Sequence, residues 1–194
     1  MRCAAGGPGF NRFASPAKII VLMAASTTDK ALRLAILGAT GVLAGVIYDS
    51  VRDRTVQVGE TAPDFTITTS TGATLSRANF GGKILVLNFW ATWCQPCIRE
   101  TPALEQLHQR LRDQGIVVVG ISVDKHEKKY RDFLKRFNVS FATAHDPAKV
   151  VSDRYGTYRY PETYLITRDG RVLQKLVGAG WKLDEMTAFL KSQL

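Results

Sequence analysis

Apolar and polar positions divide the chain into a single long apolar run near the N-terminus and a series of shorter alternating or continuous segments after it. Residues 31–48 (ALRLAILGATGVLAGVIY) are apolar apart from Arg33 and Thr40. A helix over this run is roughly 27 Å long, enough to cross a bilayer, with Arg33 reaching toward one face. Residues 84–91 hold one polar position, Asn88, which suits a central strand covered on both faces. Residues 116–123 (IVVVGISV) form a second buried strand, parallel to the first because a helix lies between them. That helix runs from Cys94 to about Gln114 with Gly115 as its C-cap, Pro102 as a kink, and Leu104, Leu107 and Leu111 on its core face. Over 127–137, Tyr130, Phe133, Leu134 and Phe137 make one stripe, while Lys128, Lys129, Arg131, Lys135 and Arg136 point to solvent.

The remaining elements follow from turn chemistry. A hairpin is predicted over 64–75, turning at Ser70, Thr71 and Gly72. Asp146 and Pro147 read as the N-cap and first residue of a short helix that Gly156 closes. Residues 162–166 and 172–177 pair as an antiparallel hairpin, and 183–194 form a closing helix. The short polar segment 49–57 reads as a linker. The fold class is α/β, a mixed central sheet flanked by helices behind one N-terminal membrane-spanning helix.

Charge adds an orientation. The net charge is +9, and it splits as +4 over 1–57 (seven Lys/Arg against three Asp/Glu) and +5 over 58–194 (nineteen against fourteen). Cations cluster before the apolar run, so the positive-inside rule puts residues 1–30 in the cytoplasm and the rest of the protein outside. Met23 opens a conventional short tail and is an alternative start. The apolar run is not followed by a clear signal-peptidase site, which favours an anchor or uncleaved signal. The basic charge comes without a zinc-finger spacing or RNA-binding aromatic signature, so no nucleic-acid partner is expected.

Only Cys3, Cys94 and Cys97 occur, which excludes a disulfide-stapled scaffold. Cys94 and Cys97 fall at the N-terminus of a helix that follows a buried strand, with Pro96 in the first turn. Free N–H groups and the helix dipole there stabilise a thiolate on Cys94. Cys97, one turn further in, attacks the mixed disulfide that Cys94 forms. The pair is a redox dithiol. Zinc would need further ligands, and His108, His126 and His145 are not suitably spaced. A c-type haem site would need histidine where Ile98 stands.

The string from Asn88 through Trp93-Cys94-Gln95-Pro96-Cys97 to Pro102 resembles the thioredoxin superfamily, and within it the membrane-anchored TlpA/ResA/DsbE branch. Residues 58–65 (VGETAPDF) and 160–166 (YPETYLI) extend the likeness over 58–194. The resemblance implies a thioredoxin-like domain, a redox-active Cys94/Cys97 disulfide in place of any cofactor, and a cis bond before Pro161. It further implies that Glu100 tunes the cysteines, with a solvated helix glutamate as the alternative. Asn88 departs from thioredoxin proper, which has an aspartate there, so proton transfer shifts to Glu100 or Glu162. Glu162 either borders the dithiol or caps a strand edge. Tyr160 offers a backbone edge to an extended substrate, Trp93 an apolar platform, and Trp90 belongs to the core. Cys94 is the exposed nucleophile in this scheme.

The activity so implied is reduction of protein disulfides in the cell envelope, above all those of apocytochrome c, with electrons from a membrane dithiol donor of the DsbD or CcdA kind. Two alternatives stand beside it. The Ala62-Pro63-Asp64-Phe65 opening resembles peroxiredoxins, although these use a lone peroxidatic cysteine. A Cu(I) chaperone would join the thiolates to His145.

Overall fold

The structure, a computed structural model, describes residues 27–51 and 55–194 as two compact units. Expectations about Cys3, Met23 and the tail up to residue 26 lie outside the described residues. The first unit is helix α1, Thr27–Val51, longer at both ends than the apolar run. Its stretch Asp29–Ser50 has the length and apolarity to cross a membrane and is exposed throughout. The polar side chains along it are turned onto its own backbone. Thr40 Oγ1 donates to the Ile36 and Leu37 carbonyls, each at 3.0 Å, and Ser50 Oγ to Val46 O at 2.7 Å. A hydroxyl satisfied in this way costs little in a medium without water.

The second unit begins before residue 58. Thr55 and Val56 are buried, and Val56 N donates to Tyr155 O at 3.1 Å. The linker expected over 49–57 is thus taken up from both sides, by α1 through Val51 and by the domain from Thr55. A hairpin of β1 (Thr66–Thr68) and β2 (Thr74–Ser76) follows, turning at Gly72 with φ +87°. The five-stranded sheet comprises β3 (Ile84–Trp90), β4 (Ile116–Ser122), β5 (Ala142–His145), β6 (Glu162–Ile166) and β7 (Val172–Val177), in spatial order β5-β4-β3-β6-β7. Strands β3, β4 and β5 are parallel, and β6 and β7 antiparallel to their neighbours.

Every residue of β3 is buried, as its apolar run predicts. The two-residue period sends Leu85, Leu87 and Phe89 into a core with Phe65, Tyr155 and Tyr164. Ile84 and Val86 face the other way, onto Leu104, Leu107 and Leu111 of α2 (Gln95–Leu111) and Met186 and Leu190 of α5 (Leu183–Lys191). Asn88 shares that second face. Trp90 is core, as expected, packed on Tyr130 and Phe133 of α3 (Glu127–Arg136). Gly120 makes room for it, because a Cβ there would lie 3.0 Å from both Trp90 Nε1 and Phe141.

Three local readings differ from the structure. Helix α2 ends three residues earlier than expected, although Gly115 does take the left-handed conformation, φ +77°. Strand β5 is not among the expected elements; it is four residues long, with small side chains and an edge position. Helix α4 is shorter than the Asp146-Pro147 start implied, Val150–Arg154 with Lys149 as N-cap. Asp146 still satisfies its first turn, accepting from Val150, Val151 and Ser152 N at 2.8–3.2 Å.

Candidate active site

Strand β3 delivers the chain through a turn at residues 91–93 into α2, and Cys94 is the N-cap of that helix. Its Sγ accepts from Cys97 N at 3.2 Å, so an orphan first-turn donor points at the sulfur. The two cysteines are joined as a disulfide. Cys94 keeps 5% exposure and Cys97 1%. The nucleophile is therefore less open in the disulfide form than expected, because the loop before β6 covers it. Tyr160 O lies 3.3 Å from Cys94 Sγ, and the Tyr160-Pro161 bond is cis. Trp93 stands out at 64% exposure, edge-on to Tyr160 with ring centroids 6.0 Å apart. An exposed indole and a backbone edge thus flank the sulfur.

The turn before Cys94 is pinned from β4. Asp124, just past the strand, is buried; its carboxylate accepts from Thr92 N at 2.9 Å, Thr92 Oγ1 at 2.6 Å and Ser122 Oγ at 2.7 Å. Sequence reasoning passed over this residue. Its signal was an acid directly after an otherwise apolar strand, a position that burial leaves affordable only with several donors.

Behind the disulfide, Glu100 is 4% exposed, which removes the solvated alternative. Being three residues after Cys97 on α2, it lies on the same helix face. Asn88 Nδ2 donates to its Oε2 at 3.2 Å, and Trp181 Nε1 donates to its Oε1. Asn88 also donates to Thr163 Oγ1 at 2.9 Å. Burial pushes the Glu100 carboxyl up from 4.5 to about 7, against the pull of the Trp181 and Asn88 hydrogen bonds. A carboxyl held there exchanges a proton readily at neutral pH. Trp181 was not anticipated, since it follows a Gly-Ala-Gly turn between β7 and α5 that carries no motif.

Glu162 takes the other acidic position. It is 1% exposed, and its Oε1 accepts from Tyr158 N at 3.4 Å and Arg159 N at 3.1 Å. Its Oε2 accepts from Tyr164 Oη at 3.3 Å and faces Lys175 Nζ at 3.5 Å. These contacts hold the loop that presents Tyr160. His145 is not gathered with the cysteines. Its Nε2 meets Asp124 O at 2.6 Å and its ring stacks on Tyr130. Among the described residues no group of His, Cys, Asp and Glu is arranged to hold a metal ion.

Residues 58–175 match the AhpC/TSA family. The thiol–disulfide oxidoreductase ResA of Bacillus cereus is 30% identical over 158 residues, covering 81% of this chain and 90% of its own. That of Geobacillus kaustophilus is 33% identical over 156 residues, 79% and 88% of the two chains. The chain belongs to the ResA-like, thioredoxin-fold thiol–disulfide oxidoreductases. Among solved structures, a thiol:disulfide interchange protein DsbE from Chlorobium tepidum superposes with TM-score 0.64 at 29% identity, over 72% of this chain and 96% of that one. StoA from Bacillus subtilis shares the fold, with TM-score 0.59 at 20% identity over 66% and 96%. The enzyme's Cys pair is Cys94 and Cys97, joined as a disulfide.

Proposed function

We propose that this oxidoreductase is tethered to the membrane by α1, faces outward, and works as a reductant, with apocytochrome c as its principal substrate before haem attachment. The observation that carries the reading is the setting of Cys94, at a helix N-terminus and against the Tyr160 carbonyl. A target's extended segment lies along that edge while its disulfide meets the sulfur.

In the reduced enzyme the Cys94 thiolate attacks one sulfur of the target disulfide. A mixed disulfide forms and the target's other sulfur leaves as a thiolate, which takes a proton from solvent. Cys97 then gives its proton to the Glu100 carboxylate and attacks Cys94 Sγ. The second target thiolate leaves and is protonated in turn. Two electrons have passed from the dithiol to the target, and Cys94 and Cys97 end as the disulfide seen here. A membrane dithiol donor of the DsbD or CcdA kind returns them. The Cys pair does this work without another cofactor, and tethering raises the concentration of the domain near both partners. Both cysteines of the domain are committed to the pair, which disfavours a peroxidase with a lone reactive cysteine.

The test uses the full chain in detergent micelles with a synthetic peptide carrying an oxidised Cys-x-x-Cys-His. The peptide is reduced by wild type, and the Cys97→Ser variant accumulates a mixed disulfide through Cys94. A peptide that is neither reduced nor trapped contradicts the proposal. Equal rates when the histidine is replaced remove the cytochrome c assignment and leave the reductase.

A further inference from the structure

Helix α3 carries an open groove beside the redox pair that the reaction above does not use. Its walls are Thr92, Ile98, Lys129, Asp132, Phe133 and Arg136, around about 250 Å³. Thr92 and Ile98 bracket Cys94 in the chain, and Lys129, Asp132, Phe133 and Arg136 fall at i, i+3, i+4 and i+7 on one face of the helix. The floor is apolar, made by Phe133 and the half-buried Ile98.

The rim is cationic. Lys128 Nζ is 2.6 Å from the Asp132 carboxylate, and Arg131 pairs with Glu127, which uses both acids of the helix. Lys129 and Arg136 are exposed and form no ion pair with an acidic side chain among the described residues. Two cations without an acidic partner over an apolar floor, Arg136 lying over the Phe137 ring at 5.4 Å from its centroid, call for the complementary ligand. The groove is also smaller than an ordinary small-molecule pocket, and suits one side chain rather than a cofactor.

We infer that this groove is a docking subsite for the disulfide-bearing protein substrate, taking a segment in which one apolar side chain is flanked by acidic residues. The inference rests on the reductase reading. The apolar side chain covers Ile98 and Phe133, and the acids meet Lys129 and Arg136. Charge at such a rim acts mainly on encounter rate and on discrimination between partners, and salt screens it.

The experiment measures second-order rates of disulfide reduction by the reduced full chain in micelles. Three probes are used: a peptide disulfide with a Leu-Glu-Glu flank, its Leu-Lys-Lys counterpart, and hydroxyethyl disulfide, which is small and uncharged. The acidic peptide is expected to react about tenfold faster than the basic one at low salt, with most of that advantage lost at about 0.5 M salt. The variant Lys129→Glu/Arg136→Glu reverses the preference and leaves the hydroxyethyl disulfide rate unchanged. Because the domain as a whole is basic, Lys83→Glu/Lys191→Glu supplies the same charge change at exposed sites elsewhere and keeps the acidic preference. Equal rates for the two peptides, or equal effects of the two double variants, overturn the docking site. If wild type fails to reduce hydroxyethyl disulfide, the reductase reading itself is what has failed.

Discussion

Trp181 and Glu100 are eighty-one residues apart in the chain, yet the indole N–H of the first donates to the buried carboxylate of the second. The bond ties the turn before α5 to the helix that carries the cysteines. It also favours the ionised carboxylate, opposing the burial that favours the neutral one. Asn88 adds a weaker pull in the same direction. The balance leaves Glu100 poised near neutrality.

That balance is adjustable. Rates of resolution by Cys97, followed with pH, are expected to inflect near pH 7 in wild type. Glu100→Gln loses the inflection and slows the step by about 10²-fold, the usual contribution of a positioned proton acceptor. Trp181→Phe removes a donor to the anion, so the inflection moves to higher pH by about one unit. A shift in the opposite direction contradicts the assigned role of the indole.

Stability carries the same signature. The Glu100 carboxyl titrates near 4.5 when unfolded and near 7 in the folded protein, so between those values the folded state holds the extra proton. Its contribution is full at acid pH and is lost as pH rises through that window, a total of about 3 kcal/mol. Thermal unfolding of wild type and Glu100→Gln across pH 4–8 measures the difference, and the glutamine variant shows none of this component.

Asp124 accepts three hydrogen bonds at the foot of the turn that leads to Cys94. Asp124→Ala leaves the half-buried Thr92 donors and the buried Ser122 hydroxyl without partners and is expected to cost about 2–3 kcal/mol of stability. Loosening this turn also disturbs the placement of Cys94, so the exchange rate falls in the same variant. Chemical denaturation and single-turnover kinetics read the two effects separately.

Glu162→Ala removes the acceptor for two successive backbone N–H groups of the loop at Tyr160. Exchange with an extended peptide disulfide is expected to slow about tenfold, while a small disulfide that makes no use of the edge is little affected. Equal slowing for both probes would place Glu162 in the chemistry rather than in the loop.

Most of this architecture is legible in the sequence because it depends on local patterning. The continuous apolar runs of β3 and β4 and the leucine spacing of α2 each have a single consistent reading. The position of the cysteines at a helix start does too, and carries with it the chemistry of a thiolate. What escaped the sequence depends on contacts between distant residues. Nothing local marks Trp181 as the partner of Glu100, or Asp124 as the anchor of Thr92. Strand β5 owes its existence to pairing with β4 and to the hairpin, where Ser70 N donates to Thr143 O at 2.8 Å. The exposure of Cys94 was overestimated for the same reason, since the covering loop arrives from sixty-six residues away.

The most direct test of the reductant assignment is the reduction potential of the Cys94/Cys97 couple in the full chain. Equilibration against a thiol redox buffer, with the disulfide fraction read by alkylation, gives the value. The account predicts a potential near thioredoxin's, about −270 mV or lower, as a donor of electrons requires. A potential near about −120 mV, in the range of a strong oxidant such as DsbA, would make the enzyme a source of disulfides and contradict it.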